Sequence, residues 1–257
     1  MAPIRKGDGT PLEIPGVSEV RSGDGRVFFE GVAIPDSEAD HQWNFDQGSG
    51  TLIEDVIGNE DADFTGGTWE SNVGAGDYAF VLDGTDDKAD MSDDMLTGFK
   101  TDVEGTVFSW VRNDDRDDRM YIIGTQNVTG SGTNFALGFH DNNYSFNLTL
   151  DGSRGWVEQG DPESNVGDWV ALAATIDNSE VTLYVAEPSG YSLTELGTDD
   201  SPSSTSDDWD NPVAFGYDPN GDNEYYEGAL DLTFAEERTW SESELQGFVD
   251  DTKHFYE

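Results

Sequence analysis

The sequence predicts an all-β fold of antiparallel strands, a sandwich or a barrel, that ends in one short helix. Many short segments alternate apolar and polar residues, and clusters of Gly, Asn and Asp separate them. No alternation of strands with helices is visible, which argues against a parallel sheet. With 257 residues, the chain is long enough for one large all-β domain or for two small ones.

Residues 1–38 are predicted to form an N-terminal arm or small attachment module, and residues 39–257 the main domain. Prolines and Gly-Asp-Gly turns fill the arm, and only residues 26–33 suggest a strand. Because Phe28 and Phe29 are adjacent, a lone strand would expose at least one of them, and burying a phenylalanine contributes roughly 1.5–3 kcal/mol. We therefore expect the arm to pack against neighbouring copies, which gives a homo-oligomer, or against another protein.

The main domain contains a series of predicted strands from Trp43 onward. One of them, "TVFSWVR", places Phe108 and Trp110 on one face and Val107 and Val111 on the other, as expected for a strand buried on both faces. The other predicted strands cover residues 78–82, a hairpin of 134–139 with 144–150, a hairpin of 169–176 with 181–185, and residues 213–217 and 228–235.

One helix is predicted near the C-terminus, in the segment "SESELQGFVDDTK". Ser241 is a suitable N-cap, and Glu244 three residues later completes a capping box. Leu245, Phe248 and Val249 then form an apolar stripe at helical spacing.

The charge of the chain is strongly negative, with 55 acidic residues against 12 basic ones and a net charge of −43. Such a surface repels itself in dilute buffer, whereas at molar salt the Debye length falls to about 3 Å. The acidic residues are spread along the whole sequence, which favours a protein adapted to high salt over a dedicated binder of basic partners. Nucleic acid is an unfavourable partner because its phosphates carry the same sign of charge.

The sequence contains no cysteine, which excludes disulfides and thiolate metal sites. The opening residues show no apolar segment typical of a signal peptide, and no apolar run approaches the roughly 18 residues of a membrane span. We therefore expect synthesis in the cytoplasm, without membrane insertion.

Five segments, taken in order, resemble the LamG-like, concanavalin A-like jelly-roll domain. They are "WNFDQGSGTLIEDVIGNED", "DYAFVLDGTDDKADM", "TVFSWVR", "GDWVALAATIDNSEVTLYVAE" and "YYEGALDLTFAEERTWSESELQGF". The resemblance covers residues 43–252, to the end of the segment that contains the predicted helix. The resemblance implies a two-sheet antiparallel jelly-roll sandwich with a short C-terminal helix, preceded here by an extended arm. One departure is Ala186-Glu187, where the family's hairpin often has Asp-Gly.

The arm, "GDGTPLEIPGVSEVRSGDGRVFFEGVAIPD", resembles the start of proteins encoded by haloarchaeal tailed viruses. This resemblance implies a virion surface protein, such as a tail fibre, spike or capsid decoration, whose arm contacts other virion proteins. It agrees with the high-salt interpretation of the charge.

Catalysis is not expected. The paired carboxylates of the related β-glucanases, Glu-x-Asp-x-x-Glu on a strand, do not occur here. The histidines His41, His140 and His254 lack metal or triad spacing in the sequence.

Structural calcium is the one cofactor that the sequence suggests. The segment "DPNGDNE" offers hard oxygen ligands from Asp218, Asn220, Asp222 and Glu224, although it matches the calcium-loop pattern only in part. The segment "DVIGNEDAD" offers a second set, from Asp55, Asn59, Asp61 and Asp63. The alternative is that a chain this acidic places Asp and Asn in every turn.

Glycan binding by a jelly roll of this kind would use aromatic platforms in loops, and the candidates are Trp156, Trp209, Tyr225 and Trp69. Packing within the fold is the alternative for each of them. The sequence thus favours a virion surface protein that binds host surface glycans or glycoprotein. The alternatives are a purely structural virion component that makes protein contacts only, and a cellular glycan-binding module.

Overall fold

The computed structural model describes residues 19–21, 27–29, 40–91, 95–114, 119–125, 132–178, 180–206, 209, 212–219 and 224–256. Strands dominate, and their bounds are β1 (Glu19–Arg21), β2 (Val27–Phe29), β3 (His41–Trp43), β4 (Leu52–Ile53), β5 (Ala62–Thr65), β6 (Thr68–Ser71), β7 (Tyr78–Asp83), β8 (Lys88–Asp90), β9 (Gly105–Asn113), β10 (Arg119–Gly124), β11 (Asn134–His140), β12 (Asn143–Leu150), β13 (Ser153–Gln159), β14 (Trp169–Ile176), β15 (Glu180–Ala186), β16 (Leu193–Asp200), β17 (Ala214–Phe215) and β18 (Glu227–Glu236). The helices are α1 (Thr97–Thr101), α2 (Glu242–Thr252) and two 3₁₀ turns, Pro162–Asn165 and Lys253–Phe255.

The strands form two large antiparallel sheets. Sheet 1 has the order β13-β12-β11-β10-β17-β8-β5-β4. Sheet 2 has the order β16-β15-β14-β9-β18-β7-β6, and β3 pairs with part of β18. The predicted jelly-roll sandwich is confirmed, and the predicted hairpins 134–150 and 169–186 are β11–β12 and β14–β15.

The main core lies between the two sheets. Its apolar residues come from the facing sides of both sheets, including Val107 and Val111 of sheet 2 and Leu137 of sheet 1. Trp43 of β3 packs edge-on against Phe215 of β17, with ring centroids 5.1 Å apart, and so joins the two layers.

Helix α2 covers the other face of sheet 2. Phe248 of α2 meets Phe108 of β9 at 5.0 Å between ring centroids, and Phe108 stacks on Phe234 of β18 at 5.2 Å. The predicted capping box is present: Ser241 Oγ accepts from the Glu244 amide at 3.3 Å, and Glu244 Oε2 accepts from the Ser241 amide at 2.7 Å. The central strand β9 of sheet 2 is therefore buried on both faces, as its apolar sequence predicts.

The arm contributes one antiparallel pair, β1 with β2, in a sheet of its own. The predicted strand over residues 26–33 corresponds to β2, while residues 26 and 30–33 lie outside the described residues. The domain boundary near residue 38 stays a prediction. No helix in the described part of the chain has the length and apolar character that crossing a membrane requires.

Candidate functional site

The outer face of sheet 1 differs from the other sheet faces because it presents polar and small side chains over strands β10 to β13. Along β11, Phe135, Leu137 and Phe139 point into the core. The alternate residues of that strand therefore face outward, as strand geometry requires. The same alternation along β12 and β13 places a continuous polar patch on this face.

These outward residues line a pocket whose enclosed space is only about 10 Å³, roughly that of one water molecule. This is far below the roughly 300–1,000 Å³ of pockets that enclose small ligands, so a ligand here would rest on the open face of the sheet rather than inside a cavity. The lining residues are Tyr121, Ala136, Gly138, His140, Ser145, Asn147, Arg154 and Trp156.

Gly138 keeps the floor of the pocket flat. A Cβ at this position would lie 2.3 Å from the Met120 carbonyl oxygen and 3.0 Å from the Tyr121 Cα, both backbone atoms of neighbouring strand β10. Because backbone cannot move aside as a flexible side chain can, β10 and β11 can approach this closely only with glycine here.

Trp156 forms one wall and is held by three contacts. Its indole nitrogen donates to Ser145 Oγ at 3.1 Å. The Arg154 guanidinium lies over the ring at 3.6 Å from the centroid, a close cation–π contact. The His140 ring meets Trp156 edge-on at 5.1 Å between centroids. The half-buried indole is thus fixed in place before any ligand arrives.

Arg154 is itself positioned by a buried amide. Its Nε donates to Asn147 Oδ1 at 3.0 Å, and Asn147 Nδ2 donates to Asn134 Oδ1 at 3.1 Å. Among the described residues, the two terminal guanidinium nitrogens of Arg154 donate no hydrogen bond. Burial lowers the pKa of Arg154, against the nearby carboxylates of Glu158 and Asp199, which act to raise it. The arrangement presents pre-positioned donors to the pocket.

Tyr121 forms the opposite wall beside two carboxylates. Burial raises the pKa of the Tyr121 phenol well above its usual range, and the nearby charges of Glu224 and Asp218 raise it further. The phenol therefore stays protonated and can donate a hydrogen bond. Asp218 is 2% exposed, and Glu224 Oε2 is buried without a hydrogen-bond partner in the described part of the chain.

Of the four aromatic residues predicted as platforms, only Trp156 lines the pocket. Tyr225 stacks on Tyr217 at 5.9 Å between ring centroids, next in sequence to Glu224. Trp69 lies on β6, the edge strand of sheet 2, and packs on Phe80 of β7.

Trp209 is a core residue, in contrast to its predicted place in a surface loop. It is 5% exposed, and its ring lies 5.1 Å from that of Phe135. Its indole nitrogen donates to the Met95 carbonyl at 2.9 Å. Although the sequence around Trp209 is acidic and rich in serine, its side chain fills the core beside β11.

In the first predicted calcium loop, Asp55 acts as a hydrogen-bond acceptor for the loop itself. Its Oδ1 accepts from the amides of Gln42, Ile57 and Gly58, and its Oδ2 accepts from His41 Nδ1 at 2.7 Å and from the Glu60 amide. Burial acts to raise the pKa of Asp55, but the bonds from His41 and the amides outweigh it and lower the pKa.

The other predicted ligands of that loop do not complete a metal site around Asp55. Asp61 Oδ1 accepts from the Asp55 amide at 2.9 Å, and Asn59 and Asp63 are exposed. In the second predicted loop, Asp218 and Glu224 both lie near Tyr121, whereas Asn220 and Asp222 lie outside the described residues.

Most pocket residues, including Tyr121, Asn147 and Arg154, are not among the site residues that the sequence predicts. The signal was present as alternation: "NFALGFH", "NYSFNLTL" and "SRGWVEQ" each place polar or small residues at every second position. Because the turns that join these three strands are short, the strands pair with one another, and the alternation places their polar residues on one face of the sheet.

Comparison with known proteins identifies the class. Residues 83–246 match the family described as the concanavalin A-like lectin/glucanases superfamily, of the laminin G type. This match covers more than half of the chain, and the chain therefore belongs to that superfamily. No match was found among curated proteins.

Solved structures share the fold at low sequence identity. The binding domain of botulinum neurotoxin serotype D superposes with a TM-score of 0.61 and 14% identity over 83% of this chain and 51% of that one. Domain 4 of an extracellular arabinanase from Geobacillus stearothermophilus, solved with arabinotriose, gives a TM-score of 0.59 and 17% identity over 82% of this chain and 97% of that one. This chain thus covers about half the length of the toxin domain and nearly all of the arabinanase domain. At these identities the likeness establishes the fold alone.

Proposed function

We propose that this protein binds a glycan in the pocket on the outer face of sheet 1. The observation that carries the proposal is the fixed indole of Trp156 beside the pre-positioned guanidinium of Arg154. Aromatic faces pack on the apolar faces of sugar rings, and planar polar groups bind their hydroxyls. A domain of the same fold has been solved with arabinotriose, which supports a ligand of this class.

The proposed ligand is a neutral sugar rather than an acidic one. The pocket is lined by one arginine, and Tyr121 at its other wall lies next to the carboxylates of Glu224 and Asp218. The chain as a whole carries a net charge of −43, which repels anionic ligands. Arg154 is the expected donor to sugar oxygens, because the Tyr121 hydroxyl already has the Glu224 carboxylate beside it as an acceptor.

A glycan array probed with the full-length protein in molar salt tests this proposal. We expect binding to a neutral oligosaccharide, and we expect Trp156→Ala to weaken it by about 2 kcal/mol, roughly 30-fold, as for a central aromatic contact. The matched control is Trp169→Ala, because Trp169 is also half-buried beneath an arginine, Arg112 at 5.7 Å, but lies in sheet 2. Absence of any glycan ligand, or equal losses in both variants, would contradict the proposal and favour a structural role.

We further propose that the pocket binds its ligand without transforming it. Prolonged incubation of the array's best oligosaccharide with the protein should return that oligosaccharide intact by mass spectrometry. Appearance of shortened products would make the protein an enzyme.

We also propose that the glycan is bound on the surface of a haloarchaeal virus particle, where the arm contacts other virion proteins. It is supported by the even spread of acidic residues and by the resemblance of the arm. Several symmetric copies would give avidity to weak glycan contacts.

Deleting residues 1–35 tests the role of the arm: we expect a folded monomer at high salt, whereas the full chain oligomerises. An unchanged oligomer, or failure to fold, would contradict it.

Calcium is proposed as a structural ion at Asp218 and Glu224 rather than in the Asp55 loop. Asp218 is buried, Glu224 has a buried oxygen without a hydrogen-bond partner among the described residues, and both lie near Tyr121. A bound cation would neutralise these carboxylates further than Arg119 does, whose Nη1 lies 3.6 Å from Glu224 Oε1. The oxygens of Asp55, in contrast, already accept hydrogen bonds from β3 and from their own loop.

A further inference from the structure

A second group of potential ligands lies at the rim of the pocket, where strands β11 and β12 meet in a tight turn. His140 ends β11, Asp141 follows it in the turn, and Glu158 lies on β13. His140 Nδ1 is 3.0 Å from Glu158 Oε2 and 3.8 Å from Asp141 Oδ2. One ligand atom from each of the three residues lies within 4.8 Å of the others.

These separations fit ligands that share one metal ion. Zinc binds imidazole nitrogen at about 2.0–2.1 Å and carboxylate oxygen at about 2.0–2.2 Å, so that neighbouring ligand atoms stand roughly 3.0–3.5 Å apart. The His140–Glu158 distance is already in this range. The Asp141 side chain is 63% exposed and can close the remaining gap by rotation.

The burial of His140 is a second, independent indication of a metal site. The residue is 8% exposed, and its Nδ1 is buried without a hydrogen-bond partner in the described part of the chain. A buried polar atom without a partner is costly, and such an atom calls for a specific explanation. Nδ1 faces the two carboxylates but makes a hydrogen bond of good geometry with neither of them.

Neighbouring groups hold the ligands in place. The edge of Trp156 packs against the His140 ring. Asn143 Nδ2 lies 3.3 Å from Glu158 Oε1 and also donates to the Asp141 carbonyl at 3.0 Å. Outer contacts of this kind orient the ligands of metal sites in general.

We propose that His140, Asp141 and Glu158 bind a divalent transition metal of the zinc class. The imidazole nitrogen favours Zn²⁺ and similar ions over Ca²⁺ and Mg²⁺, which take oxygen ligands. Three protein ligands leave at least one position of the ion for water or another oxygen ligand. This inference goes beyond glycan binding and does not depend on it.

The test uses the full-length chain, freed of metal by a chelator, in molar NaCl with an excess of CaCl₂. Calcium occupies the sites built from oxygen alone, so that a chain with 55 acidic residues does not obscure the result. Titration with Zn²⁺ should show one tight site by calorimetry. His140→Gln and Glu158→Gln should each weaken it by at least the roughly 10–100-fold typical of losing even an outer-shell contact.

Nuclear magnetic resonance gives a readout that does not depend on affinity. The chain has three histidines, so three imidazole rings report on the metal. One equivalent of Zn²⁺ should shift the ring nitrogens of His140 and leave those of His41 and His254 in place. Thermal melts of each variant without metal establish that it is folded.

His254→Gln and Asp86→Asn are the matched controls. His254 is an exposed histidine, and Asp86 belongs to the cluster Asp83, Asp86 and Asp87, which lacks an imidazole. Both controls should bind Zn²⁺ as the wild type does. The proposal fails if no tight site remains in the presence of calcium, if His140 does not shift, or if the controls lose as much affinity as His140→Gln.

Discussion

Asp231 is a fully buried carboxyl group of sheet 2, whereas the pocket lies on sheet 1. It lies on β18, where the pairing with β9 is irregular. Its oxygens accept from the Ala75 amide at 2.6 Å, the Leu232 amide at 2.7 Å and the Tyr256 hydroxyl at 3.0 Å. Burial raises the pKa of Asp231 to about 8, although these hydrogen bonds lower it in part.

This shift predicts that stability falls as the pH rises. In the unfolded chain the Asp231 carboxyl loses its proton near pH 3.9, whereas in the fold it keeps the proton until about pH 8. The folded state therefore binds more protons between these values, and its contribution to stability, complete below about pH 4, is lost by about 1.4 kcal/mol per pH unit up to pH 8. Asp231→Asn should remove this slope.

Chemical denaturation between pH 5 and 8 in molar KCl checks the prediction for Asp231. The salt screens the general repulsion among surface carboxylates, which would otherwise add a slope of the same sign. Asp250→Asn, at an exposed position, is the control and should retain the slope of the wild type. Equal slopes in the wild type and Asp231→Asn would show that the carboxyl is ionised in the fold.

At the scale of elements, local signals specify the hairpins and the C-terminal helix. Asp141 and Asn142 both have positive φ, 47° and 62°, which is the geometry of a two-residue hairpin turn between β11 and β12. Helix α2 begins at its capping box and buries its predicted stripe, Leu245, Phe248 and Val249. These elements form where the sequence predicts because their determinants lie within a few residues.

The calcium prediction concerns the connection between β17 and β18, which contains Asp218 and Glu224. Adding millimolar CaCl₂ in molar NaCl should raise the melting temperature, since an ion at 100 times its Kd stabilises the fold by about 2.7 kcal/mol. In a chain of this length that corresponds to several degrees. Asp218→Asn and Glu224→Gln should each abolish the rise, and Asp61→Asn should preserve it. A melting temperature that calcium leaves unchanged, or a rise that survives in both variants, would rule out an ion at this connection.

At the scale of the whole molecule, the net charge of −43 dominates. Several basic side chains pair with carboxylates, as Arg112 does with Glu70 and Asp114, and Arg238 with Glu236 and Glu244. The 55 acidic residues outnumber the 12 basic ones so strongly that most carboxylates cannot have a basic side chain of their own. The folded state concentrates this charge, so it is destabilised more than the unfolded chain.

Stability should therefore rise steeply with salt. Thermal melts from about 10 mM to 1 M KCl span a fall in Debye length from roughly 30 Å to 3 Å, and the melting temperature should rise over this range. Adding an uncharged osmolyte at matched osmolality to the dilute buffer should not reproduce the same increase. A midpoint that stays flat with salt would contradict the high-salt interpretation.

The sequence by itself determined the all-β class, the two long hairpins, the face of each residue on β9, and the capped helix α2. Each depends on alternation or on residues close together in the chain. Trp156 was predicted as a platform in or near a loop, whereas it lies on strand β13.

Tertiary structure alone decided which residues meet. His140 and Glu158 come together only because β12 pairs with both β11 and β13 in a particular register, and no local pattern records that register. Trp209, in an acidic segment, is buried because Phe135 of β11 and Met95, far away in sequence, form a site that fits its ring and its indole nitrogen. Burial and cross-strand contact depend on both partners at once, and therefore only the assembled sandwich defines the pocket and its rim.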